Sequence, residues 1–115
     1  MTATIYHNPR CGTSRTVLQA LQDAGRKVEV VEYLKQPLKR DALAKLIADA
    51  GLSVREAVRS KESLYTELGL DDPKVSDEQL LTAMEQHPIL MNRPFVVTEK
   101  GSRLCRPADV LQEIL

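Results

Sequence analysis

The sequence lacks an excess of charge of either sign, lacks a long apolar run and contains little cysteine. Its 115 residues hold 16 Lys and Arg against 16 Asp and Glu, and this zero net charge argues against a general binder of nucleic acid or anionic membranes. No apolar stretch approaches the ~20 residues that span a bilayer. Residues 1–6 lack the basic start and long apolar core of a secretory signal peptide. We therefore expect a cytoplasmic protein without a membrane segment.

The small number of cysteines also limits the disulfides and metal sites that the chain can form. The chain has two cysteines, Cys11 and Cys105, and in the cytoplasm we expect reduced thiols rather than a structural disulfide. Two cysteines and two histidines without ligand spacing predict no metal site. With 43% hydrophobic and 28% charged residues, the composition is that of an ordinary globular protein, and we expect residues 1–115 to form a single domain.

The hydrophobic periodicity predicts an α/β protein. Strands are predicted at residues 4–6, 28–33, 95–98 and 102–105. Helices are predicted at about residues 13–24, 41–50 and 61–68. Two more should start at the capping boxes of Ser53 and Ser76. A final helix should start at Pro107, with Val110, Leu111 and Ile114 facing inward. The order βαβ, helical block, ββα indicates a mixed sheet covered by helices, with a helical insertion at approximately residues 40–86.

The segment from His7 to Arg15 is the most informative part of the chain. It places Cys11 between a strand and a helix N-terminus, where free backbone N–H groups and the helix dipole favour a thiolate or a bound oxyanion. Such a position lowers a thiol pKa from ~8.5 to roughly 3.5–7.5. Gly12 allows close backbone approach, and Ser14 is expected to cap the helix or donate a hydrogen bond to the sulfur. We interpret Cys11 as a nucleophile rather than a buried core residue.

The side chains near Cys11 restrict the possible class of enzyme further. His7, Arg10 and Arg15 add potential positive charge, although a stacking or capping role for His7 stays open. A Cys-x-x-Cys oxidoreductase would need its second thiol where Ser14 stands, so the reductant must be an outside thiol, most simply glutathione. A phosphatase-type loop would need arginine where Val17 stands, which disfavours that class.

The residues around Cys11 resemble those of a known protein family. The segment His7-Asn8-Pro9-Arg10-Cys11-Gly12-Thr13-Ser14-Arg15 resembles the active-site segment of the glutathione/glutaredoxin-coupled arsenate reductases, the ArsC-like proteins. The similarity continues over essentially the whole chain, through Tyr65-x-Glu67-Leu68-Gly69-Leu70, His87-Pro88-Ile89-Leu90, Asn92-Arg93-Pro94 and Leu104-Cys105-Arg106-Pro107. The resemblance implies a thioredoxin-like mixed four-stranded sheet with an inserted helical region.

The resemblance also implies roles for individual residues. The resemblance implies that Cys11 is the catalytic cysteine and that His7 helps to hold the thiolate. We group Ser14 with these catalytic residues because its hydroxyl can donate a hydrogen bond to the sulfur. The oxyanion-binding arginines of the family match Arg59, Arg93 and Arg106, and we group Gly12 and Thr13 with them as substrate-binding residues. Pro94 matches a proline that follows a cis peptide bond in thioredoxin-like folds. Arginine suits a tetrahedral oxyanion because its guanidinium presents a fixed fork of donors.

The implied activity is reduction of arsenate to arsenite. Cys11 attacks arsenic, glutathione acts as co-substrate, and glutaredoxin reduces the adduct, with no bound cofactor. We expect arsenate, glutathione and glutaredoxin as partners, and a monomer, because no surplus apolar stripe is evident.

Two alternatives stay open. The chain ends at Leu115, directly after its final predicted helix, where well-known members of the family continue into a C-terminal tail. The fold is unaffected, but a glutathione-dependent thiol reductase of another substrate is the first alternative. The second is an Spx-like transcriptional regulator that binds RNA polymerase. That group typically has Cys-x-x-Cys, so Ser14 favours the enzyme.

Overall fold

The computed structural model describes residues 2–115, which divide into two compact units. One unit joins the residues up to Gln36 with Arg93–Leu115, and the other is Pro37–Asn92. The second unit therefore lies in sequence between the first two strands and the last two. The prediction that the whole chain forms one domain stays a prediction.

The first unit is built on a mixed four-stranded sheet. Its strands are β1 (Thr2–His7), β2 (Lys27–Glu32), β3 (Phe95–Thr98) and β4 (Gly101–Leu104). Their order is β2-β1-β3-β4, with β1 and β2 parallel and the other neighbours antiparallel. The predicted mixed sheet is confirmed. Because β1 and β2 run in the same direction, their carboxyl ends, His7 and Glu32, pair at the same edge.

One helix lies between the parallel strands and supplies part of the core. Helix α1 (Gly12–Asp23) buries Ser14, Val17 and Leu21, which recur at helical spacing. Strand β1 buries every second residue, ending at His7. The core of this unit consists of Ala3, Ile5, Val17, Leu21, Val96, Cys105, Leu111 and Ile114. The buried residues of β1 therefore end with a polar side chain, His7, and those of α1 begin with one, Ser14.

The last segment differs from the prediction. It is a 3-10 helix, Ala108–Glu113, with Pro107 at its N-cap, and not an α-helix. A 3-10 helix has three residues per turn, so residues three apart share a side. Leu111 and Ile114 have this spacing and are both fully buried, whereas Val110 is only half-buried. The 3-10 winding is therefore consistent with the burial of Leu111 and Ile114, which lie three residues apart.

The second unit is helical. It comprises α2 (Arg40–Asp49), α3 (Val54–Ala57), α4 (Ser63–Glu67), α5 (Asp77–Gln86) and a 3-10 helix at Pro88–Leu90. Both predicted capping boxes are confirmed, at Ser53 with Glu56 and at Ser76 with Gln79. The large buried apolar side chains of this unit include Leu43, Leu46, Ile47, Leu80, Met84 and Leu90. Within residues 2–115, no helix has both the length and the apolar character needed to cross a membrane.

Candidate active site

Cys11 lies where the chain passes from β1 into α1. Strand β1 ends at His7, a short loop follows, and Cys11 is the N-cap of the helix, with its thiol half-buried. The backbone N–H of Cys11 donates to the carbonyl of Asn8 at 3.0 Å, which closes the loop. The helix begins at Gly12, one residue before the predicted start. The cysteine therefore occupies the position where helix N–H groups without intrahelical partners are concentrated.

Positive charge and hydrogen-bond donors surround the Cys11 sulfur. Arg106 Nη1 donates to Cys11 Sγ at 3.7 Å. Burial alone would raise the pKa of this thiol, but the backbone N–H of Ser14 and the side chains of Arg106 and Arg93 outweigh it. The pKa of Cys11 therefore lies below its ordinary value. These groups stabilise the thiolate, which is the nucleophilic form of cysteine.

The two arginines near Cys11 come from the far end of the chain. Arg93 precedes β3 and is 7% exposed, and Arg106 follows β4. Arg106 Nη1 also donates to the Arg93 carbonyl at 3.2 Å, which links the two positions. The Arg93–Pro94 peptide bond is cis, as the family resemblance implied, and the Arg106–Pro107 bond is cis as well. The structure thus brings Cys11, Arg93 and Arg106 together.

Arg59 belongs to the helical unit. Its backbone N–H donates to the Leu90 carbonyl at 2.7 Å, and its Nε lies 3.9 Å from a carboxylate oxygen of Glu62. Its participation in oxyanion binding stays a prediction.

His7, the last buried residue of β1, contacts Ser14, the first buried residue of α1. His7 Nδ1 lies 2.6 Å from Ser14 Oγ, and the backbone N–H of Asn8 donates to the same oxygen at 3.1 Å. The expectation that the Ser14 hydroxyl caps the helix is wrong, since the N-cap is Cys11 and no side chain caps this helix. The hydroxyl joins strand to helix instead, while the backbone N–H of Ser14 acts on the sulfur.

The charge state of His7 also differs from the expectation. Burial lowers the pKa of His7 below its usual value, the nearby Arg15 lowers it further, and Glu32 only partly opposes them. The imidazole is therefore largely neutral at neutral pH and supplies little positive charge to the thiolate. Among residues 2–115, no hydrogen bond joins His7 to Cys11, and the role of His7 in holding the thiolate stays a prediction.

Further residues that hold the loop were not recognised from sequence. The side chain of Asn8 accepts the Arg10 backbone N–H at 3.0 Å and donates to the hydroxyl of Tyr33 at 3.5 Å. Arg15 Nη1 donates to the Pro9 carbonyl at 2.9 Å, tying the helix back to the loop. An asparagine before proline is a turn signal that points to Asn8. Nothing local in the sequence identifies Tyr33 as its partner.

Cys105 has the opposite environment. It is fully buried in the core of the first unit, and burial raises the pKa of its thiol to about 12. It is therefore unsuited to act as a thiolate at neutral pH. In the part of the chain that the structure describes, no group of three or more His, Cys, Asp or Glu side chains is arranged to hold a metal ion.

Comparison with known proteins gives a consistent result. The sequence model of the ArsC family matches residues 6–114. An arsenate reductase of Rhizobium meliloti is 58% identical over 115 residues, covering 100% of this chain and 82% of that protein. An arsenate reductase of Escherichia coli K12 is 53% identical over 112 residues, covering 97% and 79%. The solved structure of an arsenate reductase from Vibrio cholerae superimposes with a TM-score of 0.95 at 41% identity, covering 100% of this chain and 98% of that one.

Proposed function

This chain belongs to the ArsC family, and we propose that it reduces arsenate to arsenite with Cys11 as the attacking thiolate. The chain is an oxidoreductase, since relatives that share more than half of their aligned residues with it are arsenate reductases. Its fold is the thioredoxin-like α/β fold with an inserted helical region. The observation that supports the role of Cys11 most strongly is the set of donors around its sulfur, which lowers the pKa of this thiol.

The same surroundings suit the substrate. Arsenate is a tetrahedral oxyanion, and Arg93 and Arg106 offer forked donors beside the nucleophile. The first turn of α1, with Gly12 and Thr13, adds backbone N–H groups that favour an anion. Arg59 is the further arginine that we assign to the oxyanion. Together these groups neutralise charge on the arsenate oxygens as the sulfur attacks.

The proposed reaction proceeds in balanced steps. The Cys11 thiolate forms a sulfur–arsenic bond, and one arsenate oxygen leaves as water, with arsenic still in the +5 state. Glutathione forms a second sulfur–arsenic bond, again with loss of water. The glutaredoxin thiolate then attacks the glutathione sulfur and forms a mixed disulfide. The bonding pair between that sulfur and arsenic stays on arsenic, which becomes arsenic(III). Water finally cleaves the bond to Cys11 and releases arsenite.

The need for an outside thiol follows from the site. Position 14 holds Ser14, and the second thiol of the chain, Cys105, is buried in the core. No local dithiol is therefore formed, and glutathione and glutaredoxin are the reductants that we propose. The proposal includes a cytoplasmic location, where these thiols are kept reduced. It also includes a monomer that binds neither nucleic acid nor a membrane, consistent with the zero net charge.

The test is arsenate-dependent oxidation of NADPH in an assay coupled through glutathione, glutaredoxin and glutathione reductase. We expect turnover that disappears when arsenate, glutathione or glutaredoxin is omitted one at a time. Full turnover with glutathione alone would contradict the glutaredoxin step. Absence of turnover, with Cys11 still reacting readily with glutathione disulfide, would instead favour a thiol reductase of another substrate.

A further inference from the structure

A cavity lies beside the loop that precedes Cys11. It has a volume of about 320 Å³ and is lined by residues 7–10 together with Glu32, Leu34 and Lys35. His7 and Glu32 are the paired carboxyl-terminal residues of the parallel strands β1 and β2. In α/β sheets, ligands bind in the crevice outside the carboxyl ends of such strands. The volume also lies within the range of small-molecule sites.

Both charged and apolar side chains line this cavity. Arg10 lines the cavity, and its guanidinium makes no hydrogen bond or ion pair with any part of residues 2–115. Lys35 and Glu32 line the same cavity, with Lys35 Nζ 3.8 Å from a carboxylate oxygen of Glu32; Lys35 is exposed and Glu32 is half-buried. Leu34, an apolar side chain that is 41% exposed, lies between them in sequence and lines the same cavity. The cavity thus offers two cations, one anion and an apolar surface.

Glutathione has the complementary set of groups. At neutral pH it has two carboxylates, one ammonium group and a short thiol side chain. The carboxylates suit Arg10 and Lys35, and the ammonium suits Glu32. We propose that this cavity is the glutathione subsite, an inference that rests on the proposed function because it takes glutathione as co-substrate.

The position of the cavity fits this role. Arg10 is the residue directly before Cys11, so their Cα atoms are ~3.8 Å apart. The Cys11 N–H donates to the carbonyl of Asn8, a residue that lines the cavity. A tripeptide bound here lies next to the loop that presents the nucleophile. Arg93 and Arg106 approach the sulfur from β3 and β4 and do not line this cavity, so arsenate and glutathione have separate binding groups.

Steady-state kinetics with charge-reversed variants tests the subsite. Arg10→Glu and Lys35→Glu should each raise the KM for glutathione by about tenfold, because each loses a charge-assisted hydrogen bond and gains repulsion. The KM for arsenate should not change with Lys35→Glu, because Lys35 lies outside the loop that carries Cys11. Lys27→Glu is the matched control, since Lys27 begins β2, at the opposite end of the strand from Glu32, and should leave both KM values unchanged.

A binding measurement separates the subsite from the reaction. S-Methylglutathione has no free thiol, so calorimetry with Cys11→Ser reports binding alone. We expect binding that Arg10→Glu and Lys35→Glu weaken and Lys27→Glu does not. That result would support the subsite even if arsenate were not reduced, in which case the proposed function alone would fail.

Two results would overturn the subsite. One is a KM for glutathione that is the same in all three variants while arsenate reduction proceeds. The other is a rise confined to the KM for glutaredoxin, which would identify the cavity as part of a protein-docking surface.

Discussion

The two cysteines of this chain occupy opposite environments, although they are chemically identical. Cys11 is half-buried at the N-cap of α1, with the Ser14 N–H and two arginine side chains acting on its sulfur. Cys105 is fully buried among apolar side chains, and within residues 2–115 its thiol makes one weak hydrogen bond, donated to the Arg103 carbonyl at 3.9 Å. The pKa of Cys11 is lowered, whereas burial raises that of Cys105 to about 12.

This difference shows that burial alone does not decide the reactivity of a thiol. Burial raises the pKa at both positions, and it is the largest single influence on each. At Cys11, donors from the helix N-terminus and the arginines reverse its effect. At Cys105 no comparable donor compensates in the part of the chain that the structure describes. A helix start with cations beside it therefore makes the reactive site.

The largest expected effect is the difference in labelling rate between the two thiols. At pH 7 a thiol of pKa about 12 is ~10⁻⁵ ionised, so Cys11 should react with iodoacetamide at least about a thousandfold faster than Cys105. The rate at Cys11 should rise as the pH rises through a pKa below its ordinary value, then level off. Peptide mass spectrometry of the folded protein measures both rates. Equal rates would remove the distinction between the two sites.

The second effect concerns Arg106. Arg106→Ala should lower kcat/KM for arsenate by about a hundredfold, the usual cost of losing one preorganised donor, and should raise the pKa of Cys11. Arg106→Lys, which keeps the charge but not the fork, should retain part of the activity. The control is Arg103→Ala, since Arg103 lies on β4, three residues before Arg106, and its side chain pairs with Glu113 at 3.0 Å. An Arg106→Ala variant with unchanged kinetics and an unchanged thiol pKa would assign Arg106 a purely structural role.

A smaller effect is expected for Ser14→Ala. The change leaves the His7 Nδ1 and the Asn8 N–H without their shared partner, and it should lower the free energy of unfolding by about 1–3 kcal/mol. The pKa of Cys11 should move little, since the backbone N–H of Ser14 remains. Urea unfolding and thiol labelling measure these two quantities, with Thr16→Ala on the exposed side of α1 as control. A large rise in the pKa would show that the hydroxyl acts on the sulfur directly.

The smallest effect is expected at the second thiol. Cys105→Ala removes a small apolar group from the core and should lower the free energy of unfolding by about 1 kcal/mol, while arsenate kinetics stay unchanged. Thermal unfolding and the coupled assay measure the two quantities. Loss of activity in a folded variant would reveal a catalytic role at Cys105 that the environment of its thiol does not explain.

Local signals predicted most of the fold correctly. The bounds of β3 match the prediction, and both capping boxes form, because each depends on residues close together in sequence. The final helix was mispredicted as α-helical, since its 3-10 winding depends on how Leu111 and Ile114 enter the core. That preference is tertiary and is not visible in a short window of sequence.

The site was only partly predictable for the same reason. The chain order placed Cys11 at a helix start, and local reasoning predicted a low thiol pKa. Arg106 is 95 residues from Cys11, and the family resemblance implied a role for it in oxyanion binding but no hydrogen bond to the sulfur. The Ser14 hydroxyl was expected to cap its own helix or to donate a hydrogen bond to the Cys11 sulfur, but it contacts His7 on the preceding strand and the Asn8 N–H. Contacts between elements decided the roles that sequence reasoning missed.

Of the two thiols, we propose that only Cys11 performs the reduction. The most direct test measures arsenite released from arsenate, with glutathione and glutaredoxin present, by wild type, Cys11→Ser and Cys105→Ser. We expect no arsenite above background with Cys11→Ser, and release at the wild-type rate with Cys105→Ser. Continued release with Cys11→Ser, in a protein shown to be folded, would rule out this role of Cys11.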